Sequence, residues 1–229
     1  MDPVVLDGIS FHIDETAALQ QLHVRLEGAS ADEARRLIAE AQNIARPKAL
    51  YKIAFVEERG DDFLVIDGQR FKSRVLSVNL KDTHRVFAYT ATGGMELETW
   101  QCQQADLLAS YWADALAELA LRAAIGELQR HLREAYGLGS LGAMNPGSLA
   151  DWPIGQQVPL FSLLGDTEKA VGVRLSSSLL MIPRKSVSGF QFPSEETFAS
   201  CQLCPRSVCP NRRAPYDNAL FEEKYQVRA

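Results

Sequence analysis

Apolar residues in the first part of the chain recur at helical spacing. Between about residues 14 and 45 the pattern begins with three leucines that lie three or four positions apart, Leu19, Leu22 and Leu26. A second helix is predicted to start at Ser30, because Glu33 follows it at the spacing of a capping box. Residues 1–47 are therefore predicted to form N-terminal helices.

From residue 49 the apolar positions form short runs rich in β-branched and aromatic side chains. The residues that carry this pattern are Tyr51, Ile53, Phe55, Phe63, Val65, Val75, Val78, Val86, Phe87 and Tyr89. Turn-forming groups at 60–62 and at Asp67-Gly68 separate these runs, and glycine tolerates the positive φ of a tight hairpin. The pattern predicts an antiparallel β meander over residues 49–92.

Residues 96–136 are predicted to form one long helix, which is the clearest element in the sequence. Its apolar side recurs every three or four residues, at Leu108, Trp112, Leu116, Leu119 and Ala123. The opposite side is charged, which is typical of a solvated helix face. Gly137 and Gly139 are expected to end the helix.

Residues 139–193 are predicted to contain a Gly- and Pro-punctuated loop, a short helix at 158–164 and two strands at 171–175 and 179–182. Residues 195–229 are expected to form an irregular, cysteine-bearing tail. Helices and antiparallel strands segregate along the chain, without the alternation that builds a parallel sheet. We therefore expect an α+β fold, with an antiparallel sheet, a long central helix and N-terminal helices, in a single unit of residues 1–229.

Composition restricts the classes of partner. The chain has 229 residues, 46% hydrophobic and 23% charged, and a formal net charge of -5. An acidic chain is a poor match for nucleic acid, which requires a surplus of Lys and Arg on one face. No apolar run approaches the length of a membrane span, and the first residues do not resemble a secretory signal. We expect a cytoplasmic protein with no nucleic-acid or membrane partner, and the sequence gives no oligomeric state.

Four stretches in the second half resemble one known family in order and spacing. They are NPGSLADWPIGQQ at 145–157, LFSLLG at 160–165, GVRLSSS at 172–178 and MIPRKSVSGF at 181–190. Together with the predicted helix before them, they resemble the activation domain of cobalamin-dependent methionine synthase. That resemblance implies a helmet-like α+β domain that docks on a corrinoid-binding protein and presents S-adenosylmethionine for reductive remethylation of cobalamin.

The resemblance also implies a ligand loop. Its candidate residues for binding S-adenosylmethionine are Asn145, Pro146, Gly147, Ser148 and Trp152. The family loop carries an arginine and a tyrosine where this chain has Ala143 and Ser148, and alanine cannot form a charge-assisted bond to a carboxylate. Binding in the manner of the family therefore requires another cation, for which Arg184 and Lys185 are the nearest candidates in the matching stretches.

Three cysteines of the tail form a candidate metal site. Cys201, Cys204 and Cys209 have a C-x2-C-x4-C arrangement, which lets thiolates converge on one soft metal without closing a long loop. Cys102 is a candidate fourth ligand, although a small buried hydrophobic role is its default interpretation. An iron-sulfur cluster, a zinc ion, and free thiols or a disulfide all remain open at this point.

These patterns support three functional hypotheses. The first is an accessory protein of a corrinoid methyltransferase system, which docks on a corrinoid protein and assists its reductive reactivation through a cysteine-bound centre. The second is a module that binds S-adenosylmethionine and supplies a methyl group to cobalamin. The third is a non-catalytic interaction domain whose tail holds structural zinc. Whether the chain is an enzyme is left open.

Overall fold

The computed structural model describes residues 2–194, 200–206, 208–209, 212 and 214–225, and they form an α+β fold around one antiparallel sheet. The strands are β1 (Val4–Leu6), β2 (Lys48–Arg59), β3 (Phe63–Ile66), β4 (Gln69–Lys72), β5 (Arg85–Thr92), β6 (Leu141–Met144), β7 (Arg174–Leu175), β8 (Met181–Ile182) and β9 (Ser186–Pro193). The helices are α1 (Glu15–Gln21), α2 (Ala29–Ile44), α3 (Arg74–Asn79), α4 (Met95–Cys102), α5 (Leu107–Tyr136), α6 (Gln157–Leu164), α7 (Thr167–Val171) and α8 (Asn218–Leu220). The predicted fold class is confirmed.

The main sheet has the strand order β4-β3-β2-β5-β9-β6, and β1 pairs with β2 outside this path. Alternate residues of the central strand β5 point to opposite faces, as the pleat of a strand requires. Val86 and Ala88 pack toward α3 and α6, whereas Phe87 and Tyr89 pack against α5. Both faces of β5 are therefore covered, which explains its nearly continuous apolar sequence. β7 and β8 form a separate two-stranded ribbon.

The N-terminal helices are confirmed in part. Asp14 caps α1 through a bond from the Ala17 amide to its carboxylate, 2.8 Å. The start predicted at Ser30 is wrong, because α2 begins at Ala29 and its N-cap residue is Gly28, with no side-chain cap. Burial of the small and aliphatic face of α2 against α4 and α5 stabilises this helix in place of a capping box.

The predicted meander is interrupted by a helix. Val75 and Val78 lie in α3, not in a strand, and the Ser73 side chain caps that helix by accepting from the Leu76 amide at 2.9 Å. The next strand, β5, then pairs with β2 and not with the preceding β4. β-branched side chains favour strands only weakly, and packing of Val75 in the core overrides that preference.

The predicted single long helix is two helices. α4 ends at Cys102, and α5 begins after Asp106, whose carboxylate accepts from the Leu108 and Ala109 amides at 3.0 and 2.9 Å. Gly137 ends α5 with φ +60°, as expected. Within the ranges that the structure describes, no helix is long and apolar enough to cross a membrane.

The second half contains more sheet than the pattern predicts. The helix expected at 158–164 is confirmed as α6, and the two short strands are present as β7 and β8, although Val171 belongs to α7. β6 and β9 were not predicted as strands, yet β9 pairs with both β5 and β6. The motif at 181–190 thereby runs into the middle of the sheet.

Candidate functional site

The loop that follows β6 is shaped by two successive turns. Gly147 has φ +84° at the third position of the turn from Asn145 to Ser148, where a type II turn requires a positive φ, and Pro146 occupies the position before it. The Ser148 amide and hydroxyl both donate to the Asn145 carbonyl. The Gly147 amide donates to the Trp152 carbonyl at 2.7 Å, which closes the loop on itself. Ser148 therefore serves the turn, and its hydroxyl already has a partner.

Asn145 ties the start of this loop to the sheet. Its side-chain amide donates to the Tyr89 hydroxyl at 2.7 Å and to the Ser188 carbonyl at 2.8 Å. A β-carbon on Gly189 would lie 2.6 Å from the Asn145 amide nitrogen, so the glycine of the SVSG stretch is required by this close approach. Asn145 positions the loop and points into the sheet rather than into open space.

Trp152 anchors the other end of the loop in the core. Its side chain is 1% exposed and stacks on Phe190 with ring centroids 5.8 Å apart and an interplanar angle of 12°. Burial of a large aromatic surface holds the loop down by the hydrophobic effect. Trp152 therefore lies behind the loop, in the same core cluster as Leu149.

Asp151 fastens the loop to α3. Its carboxylate accepts from the Ser73 hydroxyl, from the Arg74 amide at 3.2 Å and from the Val75 amide at 3.0 Å. Free amides in the first turn of a helix need acceptors, and a carboxylate supplies them well. The loop and α3 are thereby joined across a sequence separation of 76 residues between Val75 and Asp151.

The cysteine segment packs beside this loop. Leu203 is buried in the core cluster that contains Trp152, and Cys204 packs against that cluster while remaining half-buried. Arg212 holds the segment from outside, because its guanidinium donates to the carbonyls of Cys201, Cys204, Arg206 and Ala214. The described bonds of Arg212 thus go to backbone carbonyls.

A cavity of about 910 Å³ lies between the loop and the cysteine segment. One wall is formed by residues 147–151, 153 and 154 with Val75, and the other by residues 203–206. Most of this lining is apolar, with polar groups from Ser148, Asp151 and Arg206. Cavities of this size and character are typical of small-molecule sites. Of the five predicted loop residues, Gly147 and Ser148 line the cavity, whereas Asn145, Pro146 and Trp152 support the loop from outside the lining.

The thiols do not form a ready-made metal cage. No disulfide joins any of the four cysteines, all of which lie in the described part of the chain, and among the described residues no group of three or more His, Cys, Asp or Glu side chains is placed to hold a metal ion. Cys102 is exposed at the end of α4, and Trp100 of the same helix packs in the helical core with α2 and α5. Cys204 packs on the core cluster at the other face of the sheet. Cys102 is therefore not placed beside Cys204. The arrangement therefore does not fit a preformed three-thiolate centre.

The two cations suggested by the sequence are engaged elsewhere. Lys185 Nζ lies 2.9 Å from Asp114 Oδ2 and 3.6 Å from Glu118 Oε2, and Arg184 Nε lies 3.8 Å from Glu98 Oε1. Burial opposes ionisation of Asp114, but hydrogen bonds from Lys185 and Gln101 outweigh it and the pKa of Asp114 is lowered. Arg184 and Lys185 thus join the 181–190 stretch to α4 and α5.

A solved structure of another protein shares this architecture. No protein-family model matches the sequence, and no curated protein sequence matches it either. Among solved structures, the crystal structure of the MetH reactivation domain bound to AdoHcy matches with a TM-score of 0.61 and 17% sequence identity, covering 87% of this chain and 81% of that chain. The chain has the fold of the MetH reactivation domain. The fold that the resemblance at residues 145–190 implied is therefore the reactivation-domain fold that is observed.

Some residues of the cavity lining could not be predicted from any pattern in the sequence. The loop at 147–154 was a candidate because of its motif, but Val75 and Arg206 were not predicted to line a pocket with it. Both come from segments distant from the loop in sequence, and only the folding of the chain brings them to it. The Arg212 clamp likewise depends on carbonyl positions that no sequence pattern specifies.

Proposed function

We propose that this chain is a reactivation module for a corrinoid protein, and that it binds S-adenosylmethionine in the cavity between loop 147–154 and segment 203–206. The observation that carries the proposal is the coincidence of this cavity with the loop that resembles the family's ligand loop. Its setting is a fold shared with a domain whose crystal structure contains AdoHcy. A fold alone does not specify a function, so the cavity and its lining are the basis of the proposal.

The cavity suits a nucleoside ligand that carries an amino-acid group. Leu149, Ile154 and Leu203 offer apolar surface for a heterocyclic ring, and Ile154 is 38% exposed at this site. Gly147 and Ser148 present backbone at the edge of the cavity, where a side chain larger than glycine would approach Ile154. The loop is fixed at Asn145, Asp151 and Trp152, so a ligand would meet a preorganised wall.

The partner in this proposal is a corrinoid-binding protein, as the family resemblance implies. When bound, S-adenosylmethionine would supply a methyl group to the corrinoid cobalt after an external reductant has reduced it by one electron; the sulfur–methyl bond breaks, the cobalt–methyl bond forms and S-adenosylhomocysteine leaves. The chain's own contribution is to bind the ligand and hold it near the partner's corrinoid. The cytoplasm, where thiols stay reduced, is the proposed compartment.

Calorimetry tests ligand binding directly. The intact chain is titrated with S-adenosylmethionine, and the titration is repeated with Ala150→Trp, in which an indole would fill the cavity from an exposed position on the loop. Ala39→Trp, on an exposed position of α2, is the matched control. We expect binding to the wild type and to the control, and no heat with Ala150→Trp. Absence of binding to the wild type at millimolar ligand would contradict the proposal.

A second experiment tests the partner. A purified corrinoid protein, S-adenosylmethionine and a reductant are mixed with and without the chain, and the corrinoid absorption spectrum is followed over time. We expect faster return to the methylated spectrum when the chain is present, and slower return with Ala150→Trp than with Ala39→Trp. Equal rates in all four mixtures would reject the reactivation role even if the ligand binds.

The cysteine segment is proposed as a metal site on its spacing alone. The C-x2-C-x4-C spacing is compatible with an iron-sulfur cluster, with structural zinc as the alternative, and the described thiols would have to move together to form either site. No step of the proposed function passes through this metal. Anaerobic purification, followed by assays of iron, acid-labile sulfide and zinc on wild type and Cys204→Ala, decides between them. Iron with sulfide supports a cluster, zinc alone supports a structural ion, and a metal-free protein refutes both.

A further inference from the structure

The loop that lines the cavity, and the other stretches that resemble the family, provide no positively charged side chain for a ligand. Ala143 stands in β6 where the family loop has arginine, and Ser148 uses its hydroxyl to close the turn. Arg184 and Lys185 are paired with carboxylates of α4 and α5. The residues that resemble the family therefore leave the cavity without a positive charge.

Arg206 supplies that charge from the opposite wall. It lines the cavity together with Cys204 and Pro205, and its side chain is exposed. Within the part of the chain that the structure describes, its guanidinium has no hydrogen bond or ion pair, while its backbone carbonyl is held by Arg212. A fixed backbone with an uncommitted guanidinium is suited to receive an anionic group.

The neighbouring Asp151 does not cancel this charge by pairing. Its carboxylate faces the first turn of α3 and accepts from the Ser73 hydroxyl and the Arg74 and Val75 amides. No ion pair links Asp151 to Arg206 among the described residues. The guanidinium can therefore pair with a ligand without breaking an existing bond.

We propose that Arg206 is the specificity-determining residue of the cavity, and that it pairs with the carboxylate of an amino-acid-bearing nucleoside. This inference rests on the proposed function, and it assigns to the cysteine segment the binding role that an arginine of the loop has in the resembling family. A guanidinium–carboxylate pair is charge-assisted and bidentate, so it distinguishes ligands with a carboxylate from those without one. The apolar wall of Leu149, Ile154 and Leu203 would contribute equally to both kinds of ligand.

The test uses two ligands that differ in this group. AdoHcy carries the amino-acid carboxylate, and 5′-methylthioadenosine lacks the amino-acid group. Both are titrated by calorimetry into the intact wild-type chain, Arg206→Ala and Arg206→Lys. Arg174→Ala is the control, since Arg174 lies on β7 with Glu168 as its ion-pair partner at 3.5 Å.

We expect Arg206→Ala to weaken AdoHcy binding on the order of ten- to hundredfold and to leave 5′-methylthioadenosine binding unchanged. Arg206→Lys should recover part of the AdoHcy affinity, and Arg174→Ala should behave as wild type. Equal losses for both ligands, or no loss for either, would overturn the role of Arg206 while leaving the cavity as the ligand site. Failure of the wild type to bind either ligand would overturn the ligand site itself, and the assignment of Arg206 with it.

Discussion

The side-chain amide of Asn145 lies directly over the backbone of Gly189. A β-carbon at position 189 would lie 2.6 Å from the Asn145 nitrogen and 2.1 Å from the Met144 carbonyl oxygen. This contact is where the loop after β6 meets β9, the strand that pairs with β5 and β6. Two of the stretches that carry the family resemblance are therefore one structural unit, and the glycine of the second stretch sets the path of the first.

Gly189→Ala is expected to displace the loop. The new methyl group overlaps a backbone carbonyl that cannot move without breaking the β6–β9 pairing, so we expect a loss of about 1–3 kcal/mol in the free energy of unfolding. Chemical denaturation followed by circular dichroism measures this loss. Gly126→Ala is the control, because no atom apart from the neighbouring backbone of its own helix lies within 4 Å of the added β-carbon, and alanine favours a helix interior. Equal stability of the two variants would contradict the close approach.

Asp151→Asn is expected to loosen the loop from α3. The amide side chain replaces a charged acceptor of three donors by a neutral one, and we expect a cost of about 1–2 kcal/mol in unfolding free energy. Calorimetric titration with S-adenosylmethionine should also show weaker binding, since the cavity wall at 147–154 is less well fixed. Asp82→Asn is the control, since its carboxylate has only an exposed lysine neighbour at 3.8 Å. The control should lie within experimental error of wild type.

Local patterns in the sequence identify some elements well and miss others for physical reasons. The apolar stripe of α5 and its Gly137 end are local, and both were predicted from spacing. The break before Asp106 was missed because the helix was extended back to residue 96 from a stripe that begins only at Leu108, although an aspartate before Leu107 is itself a cap signal. Val75 was placed in a strand because its β-branched side chain favours one, whereas α3 is capped by the nearby Ser73 and also by Asp151, which lies 76 residues from Val75.

In the candidate site, too, the parts with a local sequence pattern were predicted and the parts that depend on tertiary contacts were not. The loop was found through its motif, and its internal turn follows from Pro146-Gly147. The second wall of the cavity at 203–206 depends on how the tail packs against the core at Leu203, which is a tertiary contact without a local pattern. For the same reason, the sequence suggested Arg184 or Lys185 as the nearby cation, whereas the cation that lines the cavity in the folded chain is Arg206.

The ion pair between Asp114 and Lys185 should make stability depend on acid pH. The pKa of Asp114 is lowered from its ordinary value of 3.8 in the folded chain, so its contribution is present above that value and is lost as pH falls through the folded pKa. We expect Asp114→Asn to lower the melting temperature at pH 7, and the gap to wild type to shrink as the pH falls below 3.8 and to close as it passes the lower folded pKa. Thermal melts at several pH values measure this, with Asp82→Asn as control. A gap between Asp114→Asn and wild type that is constant with pH would reject the electrostatic explanation.

Arg212 is expected to control access to the cysteine segment. Its guanidinium donates to three carbonyls of that segment, those of Cys201, Cys204 and Arg206, and also to the Ala214 carbonyl, so Arg212→Ala removes several bonds at once. We expect alkylation of Cys204 by iodoacetamide to become faster on the order of tenfold, because local opening exposes a thiol that is half-buried in the wild type.

Peptide mass spectrometry measures each site separately, after treatment with reductant and chelator. Cys102 is exposed on α4 and is the internal reference, whose rate should not change. Arg174→Ala is the matched control variant, and equal Cys204 rates in the two variants would show that the clamp does not restrain the segment.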